Sequence, residues 1–136
     1  MPYQAAVADA AADPATVLVV DDTAAILTLF GCLLQREGYR VITAGSSEQA
    51  MAIAAQPGSS LQAAIADVAM PGSNGAELLR HLRQLHPEIK LIAIGCLLMA
   101  TQEDLNAAGA RPDLFLTKPL SIRELVKSLD QLLASR

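Results

Sequence analysis

The sequence predicts a three-layer α/β sandwich, in which helices cover both faces of a parallel sheet. Short β-branched or aliphatic runs alternate with longer stretches whose apolar residues recur every three or four positions, which is typical of parallel βαβ units. The short runs are almost continuously apolar, and a sheet with one wet face would alternate apolar with polar residues. With 136 residues, 52% of them hydrophobic and 18% charged, the chain suits one domain with its own core.

Five strands, each followed by a helix, are predicted in order along the chain. We expect the strands at 17–20, 40–43, 61–66, 90–94 and 114–117. Apolar stripes mark helices after the first, third and fifth strands, and they consist of Ile26, Leu27, Phe30, Leu33 and Leu34, then Leu78, Leu79, Leu82 and Leu85, then Ile122, Leu125, Val126, Leu129 and Leu133. Capping pairs three residues apart place helix starts at Ser46, Asn74 and Ser121, Thr101 marks a further start, and Gly38 and Gly109 suit helix ends.

Residues 1–15 are rich in alanine, and we expect them to form a mobile tail or linker before a domain at 16–136. No apolar run approaches the ~20 residues that cross a bilayer, and the start lacks the basic segment of a secretory signal, so a cytoplasmic location is expected. The net charge of −4, without a Lys/Arg cluster, argues against direct nucleic-acid binding. Cys32 and Cys96, both in apolar segments, are expected to be buried, reduced thiols.

Charged residues stand at the ends of three predicted strands. Asp21 and Asp22 end the first strand, Asp67 ends the third and Lys118 ends the fifth. A single aspartate there would indicate only a turn or a helix cap. However, the carboxyl ends of parallel strands share one edge of the sheet, where ligands of α/β proteins bind. Grouped carboxylates need a cation, and oxygen ligands favour Mg²⁺ held together with a phosphate oxygen, so the pattern predicts phosphoryl chemistry.

Other catalytic patterns are missing from the sequence. It contains no Gly-rich phosphate loop, Gly-x-Ser-x-Gly elbow, Cys-x-x-Cys pair or His-Glu-x-x-His helix, which argues against nucleotide, serine-hydrolase and zinc chemistry. His81 and His86 fall on the third helix and its end, where we expect solvated or capping side chains.

Three separated motifs together resemble those of receiver domains of bacterial two-component response regulators. They are VLVVDD at 17–22, DVAMPG at 67–72 with Gly75, and TKP at 117–119. The resemblance implies a doubly wound, CheY-like (flavodoxin-like) sheet of five parallel strands in the order 2-1-3-4-5. It further implies that an aspartate accepts a phosphoryl group from a histidine kinase or phosphotransfer protein, and that a downstream protein partner reads the result.

The resemblance also implies roles for individual residues. Asp67 matches the phosphoacceptor, and Lys118 would contact the phosphoryl group. Mg²⁺ would be bound directly by Asp22 and Asp67, chiefly through water by Asp21, and by the backbone carbonyl of Ala69. Two further matches are Pro119, commonly preceded by a cis peptide, and the loop residues Pro71 and Gly72.

The sequence departs from the family at its switch position. The family carries a Ser or Thr at the end of the fourth strand, and here that position falls on Gly95. Phe115 matches the aromatic switch position in the fifth strand but lacks a tyrosine hydroxyl. We therefore expect phosphoryl acceptance with a weakened switch.

Several alternatives stay open at this point. Gly95 would suit a phosphorylation-independent adaptor, whereas a Mg²⁺-dependent phosphatase is disfavoured because Asp21 and Asp22 lack Asp-x-Asp spacing. As a receiver, the protein would be no enzyme beyond slow self-phosphorylation and autodephosphorylation. The resemblance allows a homodimer through the fourth helix, fifth strand and fifth helix, and either a stand-alone regulator or a piece of a hybrid kinase.

Overall fold

The computed structural model describes residues 14–69, 74–96 and 102–134, and in them strands and helices alternate. The strands are β1 (Thr16–Val20), β2 (Arg40–Ala44), β3 (Ala63–Asp67), β4 (Lys90–Gly95) and β5 (Leu114–Thr117). The helices are α1 (Ala24–Arg36), α2 (Ser47–Ala54), α3 (Gly75–Leu85), α4 (Gln102–Ala107) and α5 (Ile122–Ala134). Each strand predicted from the sequence is present, with bounds shifted by at most two residues.

The five strands form one parallel sheet in the order β2-β1-β3-β4-β5. The chain passes from β1 outward to β2, then crosses back to β3 on the other side of β1, so the strand order reverses between β1 and β3. In their pairing Val20 lies opposite Ala66, which sets the carboxyl ends of these two strands side by side. The predicted fold class and strand order are confirmed.

Helices cover both faces of the sheet. On one face, Leu18 and Val20 belong to a core that also contains buried residues of α2, α3 and α4. On the other face, Val17 and Val19 pack with buried residues of α1 and α5. This alternation along β1 explains why the strand is apolar throughout: each face supplies its own hydrophobic core. Leu85 departs from the predicted α3 stripe, because at the end of the helix its side chain is 41% exposed.

The predicted helix caps are made by the expected side chains. Ser46 Oγ accepts from the Gln49 N–H at 3.0 Å, Asn74 Oδ1 from the Glu77 N–H at 3.0 Å, and Ser121 Oγ from the Glu124 N–H at 3.3 Å. Each cap satisfies a backbone donor that the first turn leaves unpaired. The helix-end glycines Gly38 and Gly109 have φ of 98° and 85°, a region that favours glycine.

Some predictions lie outside the described residues: residues 1–13 of the expected tail, the loop residues Pro71 and Gly72, and the helix start at Thr101. Among the helices that the structure describes, none has the length and apolar character to cross a membrane.

The cysteine prediction is wrong for Cys32. Both thiols are free, but Cys32 is exposed and Cys96 is partly buried. The inward face of α1 is set by its buried residues Phe30, Gly31 and Leu34, and Cys32 lies on another side of the helix. An apolar neighbourhood in sequence is therefore not the same as the buried side of a helix.

His86 has the capping role expected for it. Its Nε2 lies 3.0 Å from the carbonyl oxygen of Ala54, the last residue of α2, and 3.1 Å from Ser59 Oγ. The imidazole thus joins the end of α3 to the end of α2.

Candidate functional site

Three carboxylates meet at the carboxyl edge of the sheet. One oxygen from each of Asp21, Asp22 and Asp67 lies within 4.8 Å of the others. Asp21 and Asp67 are only 6% and 4% exposed, whereas Asp22 faces solvent. Their meeting follows from the sheet order, because Asp21 and Asp22 follow β1 and Asp67 ends the adjacent β3.

Both carboxylate oxygens of Asp67 accept hydrogen bonds. Oδ1 accepts from the backbone N–H of Ala69 at 2.8 Å, and Oδ2 accepts from the Lys118 ammonium at 2.7 Å. The segment after the strand is held to β4, since the Val68 N–H donates to the Ile94 carbonyl at 2.8 Å. Asp67 is thereby fixed in orientation by two donors and by the backbone on its C-terminal side.

Lys118 reaches the site from β5, at the edge of the sheet. Its backbone N–H donates to the Gly95 carbonyl at 2.9 Å, and the Lys118–Pro119 peptide is cis, the form expected from the resemblance. The side chain of Lys118 is 47% exposed, so the ammonium bridges solvent and the buried carboxylate. The hydrogen bond that Lys118 donates to Asp67 raises the pKa of Lys118, as do the charges of Asp67, Asp21 and Asp22, whereas burial lowers it. The ammonium therefore stays charged at neutral pH.

Asp21 is a buried carboxylate that lies close to a second negative charge. Burial raises its pKa, and the negative charge of Asp67 adds to the increase. The Thr23 N–H opposes this shift by donating to Asp21 Oδ1 at 2.8 Å. Thr23 was not singled out from the sequence, although Asp followed two residues later by a backbone donor is the ordinary pattern of an Asx turn.

The donor set fits a hard divalent cation. Three carboxylates and one ammonium sum to −3 + 1 = −2, and two of the carboxylates are buried. Mg²⁺ prefers oxygen ligands, and the cation would offset the burial and the nearby Asp67 charge that together raise the pKa of Asp21. The charge and chemistry of the residues are thus suited to the ion expected from the sequence.

Gly95 and Phe115, the two positions expected to act as a switch, lie on the adjacent strands β4 and β5. Gly95 ends β4, is buried and pairs with Thr117. Phe115 is partly buried and packs against the core shared by α2, α3 and α4.

Gly75 has a role at the site that the sequence did not reveal. A Cβ atom at this position would lie 2.6 Å from the Cβ of Val68 and 3.0 Å from its Cα, closer than side chains pack. The start of α3 therefore rests directly on the residue that follows Asp67, and only glycine allows this approach. The one signal in the sequence was the position of Gly75, three residues after the DVAMPG motif.

Comparison with known proteins agrees with this geometry. The family model of the response regulator receiver domain matches residues 17–130. The sensor kinase CckA of Brucella abortus (strain 2308) is 35% identical over 122 residues, which cover 88% of this chain and 12% of CckA. The transcriptional regulatory protein CpxR of Escherichia coli (strain K12) is 35% identical over 119 residues, which cover 86% of this chain and 48% of CpxR. The chain thus spans a small part of CckA and about half of CpxR.

Solved structures give the same result. A CheY-like response regulator receiver domain protein from Methanospirillum hungatei JF-1 superimposes with a TM-score of 0.79 and 27% identity, covering 90% of this chain and 95% of that one. The response regulator TrrA of Thermotoga maritima, in complex with Mg²⁺-BeF, gives a TM-score of 0.70 and 26% identity, covering 87% and 98%. This chain belongs to the response regulator receiver domain family, the signalling domain of two-component systems.

Proposed function

We propose that Asp67 accepts a phosphoryl group from a histidine kinase or phosphotransfer protein and that the chain then signals by contacting a downstream protein. One observation carries the proposal: a buried carboxylate has its oxygens held by the Ala69 N–H and the Lys118 ammonium, with the Asp21 and Asp22 carboxylates within 4.8 Å. The Asp67 carboxylate is therefore oriented by hydrogen bonds, its charge is balanced by the Lys118 ammonium, and the neighbouring carboxylates can bind a cation beside it. The names of CckA, a sensor kinase, and CpxR, a transcriptional regulatory protein, support this place between a kinase and an output.

The chemistry asks the protein mainly for position and charge. An oxygen of Asp67 attacks phosphorus, a P–O bond forms, and the P–N bond to the donor histidine breaks with its electron pair remaining on the imidazole. No general base is needed, because the carboxylate is already the nucleophile. The Ala69 N–H keeps the carboxylate in place. The Lys118 ammonium, which holds Asp67 Oδ2 before transfer, is placed to hold a phosphoryl oxygen after it.

We assign a Mg²⁺ site to Asp21, Asp22, Asp67 and the backbone carbonyl of Ala69. When bound, Mg²⁺ supplies charge neutralisation at the phosphoryl oxygens. The −2 charge of the residues and their oxygen-only donors support the assignment, as does the presence of Mg²⁺-BeF in the complex of the similar TrrA.

We further propose that coupling to the output surface is weak. A glycine at position 95 offers no hydroxyl to follow a phosphoryl oxygen, and one hydrogen bond to a charged group is worth about 1.5 to 3 kcal/mol. A phosphoryl group shifts a conformational equilibrium only by its differential interaction with the two states, so losing this bond removes much of the driving force toward Phe115.

Phosphorylation is tested by incubating the protein with acetyl phosphate and Mg²⁺ and measuring the intact mass. We expect a gain of one phosphoryl group that is lost in Asp67→Asn and retained in Asp104→Asn, an exposed aspartate on α4. A phosphorylated histidine phosphotransfer protein serves as a second donor, since small donors suit only some receivers. A gain that persists in Asp67→Asn would assign the acceptor elsewhere. No gain from either donor would contradict phosphoryl acceptance and favour a phosphorylation-independent adaptor.

A further inference from the structure

β2 lies at one edge of the sheet and is paired on one side only. Within the described residues it pairs with β1 alone, in an unbroken register from Arg40 opposite Thr16 to Ala44 opposite Val20. Natural proteins usually block an edge strand with a bulge, a proline or inward-pointing charges. β2 has a regular register, and its sequence RVITA contains no proline and a single charge at its first residue. In the part of the chain that the structure describes, the outer edge of β2 is therefore open to another strand.

Alternate residues of β2 direct their backbone groups to this outer edge. The Arg40 N–H donates to the Ala15 carbonyl at 2.9 Å, and at the other end of the strand the Ala44 carbonyl accepts from the segment after β1 at 3.1 Å. The first, third and fifth residues of β2 thus use their backbone groups toward β1. Successive residues of a strand point these groups to opposite sides, so the N–H and C=O groups of Val41 and Thr43 point outward.

The side chains at this edge are suited to a protein contact. Among the described residues, the exposed large hydrophobic side chains are Leu29, Ile42 and Leu85, and Ile42 is 37% exposed at the centre of β2. Its neighbour Thr43 is exposed, and Val41 is partly buried. The edge therefore combines an apolar contact with directional backbone groups on either side of it, which is the combination that strand addition uses.

We propose that two copies of this chain pair through their β2 strands, antiparallel and about a two-fold axis at Ile42, so that the two sheets become one. In this register Val41 of each copy lies opposite Thr43 of the other, and the two residues exchange both of their N–H···O=C bonds. The axis repeats this pair, so all the outward backbone groups of Val41 and Thr43 gain partners. Ile42 lies opposite Ile42 of the other copy at a non-hydrogen-bonded position, where side chains on facing strands are closest.

A second copy suits this edge because the edge is complementary to itself. The same three residues supply donors, acceptors and apolar surface to both sides of the interface, as a two-fold axis requires. Antiparallel pairing also places Arg40 of the two copies at opposite ends of the interface, away from its like charge. No residue of the acidic cluster takes part, so the pairing is independent of phosphoryl acceptance by Asp67.

Charge at the axis tests the pairing in the full chain, with sedimentation velocity over a wide range of concentration as the measurement. We expect the wild type to dimerise, and Ile42→Lys and Ile42→Glu each to dimerise at least roughly tenfold more weakly, because like charges would meet at the axis. An equimolar mixture of these two variants should dimerise again, since lysine then faces glutamate. The matched control is Leu85→Lys, at the end of α3, where the native side chain is 41% exposed. It should leave the dimer unchanged, and circular dichroism checks that each variant is folded.

A disulfide bond tests the register. In a Cys32→Ser background, which removes the exposed native thiol, Ile42→Cys should form an intermolecular disulfide on oxidation by diamide. The thiols lose their protons and electrons to diamide, which is reduced to the hydrazine as the S–S bond forms. Thr43→Cys should cross-link at least roughly tenfold more slowly, because Thr43 faces Val41 of the other copy and Cα atoms more than about 7 Å apart cannot be bridged.

Three outcomes would overturn the proposal. A wild type that stays monomeric at all concentrations would leave the β2 edge to an extended segment of another protein. A dimer that survives Ile42→Lys, or a mixture that stays monomeric, would favour a different face, such as that of α4, β5 and α5. Equal rates of cross-linking in Ile42→Cys and Thr43→Cys would rule out a two-fold axis at Ile42.

Discussion

Substitution of Gly75 by alanine tests how tightly the start of α3 is packed against the phosphoacceptor strand. The new Cβ would lie 2.6 Å from Val68 Cβ, 2.8 Å from its Cγ1 and 3.0 Å from its Cα. Because the obstruction includes backbone, a change of side-chain rotamer cannot relieve it. Ordinary carbon contacts are about 3.5 to 4.0 Å, so the helix or the segment after β3 must move by about 1 Å. Overpacking of this kind costs about 1 to 3 kcal/mol.

The matched control is Gly31→Ala in the middle of α1. Its Cβ would meet nothing closer than Val41 Cγ1 at 3.9 Å and Thr43 Cγ2 at 4.0 Å. Alanine is favoured over glycine inside a helix by about 0.5 to 1 kcal/mol, so this variant should be more stable than the wild type. The two glycine-to-alanine changes are therefore expected to alter the free energy of unfolding in opposite directions.

Urea denaturation and thermal unfolding measure these changes, with each kcal/mol moving the midpoint temperature by roughly 2 to 8 °C in domains of this size range. Under conditions where the Gly75→Ala variant is folded, it should also accept a phosphoryl group from acetyl phosphate more slowly. The reason is that Val68 lies between Asp67 and Ala69, whose N–H orients the Asp67 carboxylate. Wild-type stability in Gly75→Ala would refute the packing argument. Reduced stability with an unchanged phosphorylation rate would show that the contact does not position Asp67.

Three further substitutions test the site. Asp21→Asn should stabilise the protein in EDTA at pH 7, because the pKa of Asp21 is raised in the folded state. The protonated carboxyl contributes to stability below its ordinary pKa of 3.8, and this contribution is lost as the pH rises through the folded-state pKa. Thermal unfolding between pH 3 and 7 should show this gain growing with pH, and a gain independent of pH would contradict the cause. Lys118→Ala should slow phosphorylation by acetyl phosphate by roughly ten- to a thousandfold, as expected for loss of one preorganised charge at the reacting group. The control Lys127→Ala should keep the wild-type rate. Equal rates for Lys118→Ala and the wild type would show that Lys118 does not assist phosphoryl transfer. Gly95→Thr should enlarge the phosphorylation-induced chemical-shift changes around Phe115. Changes in the wild type as large as those in Gly95→Thr would disprove the weakened switch.

Much of the fold was predictable because its signals are local. A capping side chain acts on a donor three residues away, so Ser46, Asn74 and Ser121 marked helix starts correctly. Continuous apolar strands require cover on both faces, which determined the layer architecture without any knowledge of distances. The position of Asp21, Asp67 and Lys118 at strand ends was also a local property, and parallel pairing was enough to predict that they share an edge.

Other properties depend on how elements are rotated and how closely they approach. The apolar neighbours of Cys32 suggested burial, but the orientation of α1 leaves the thiol exposed. The contact between Gly75 and Val68 depends on how closely α3 approaches the segment after β3, and no local sequence pattern encodes that distance.

The amino-acid sequence was enough to predict the class of fold, the order of its elements and the set of acids and amine at one edge of the sheet. Periodicity, caps and strand ends are all set by neighbours along the chain. The folded arrangement was needed to show that Lys118 reaches Asp67 across 51 residues and that burial beside a like charge raises the pKa of Asp21. These depend on sub-ångström packing and local dielectric, which arise when distant segments are brought together.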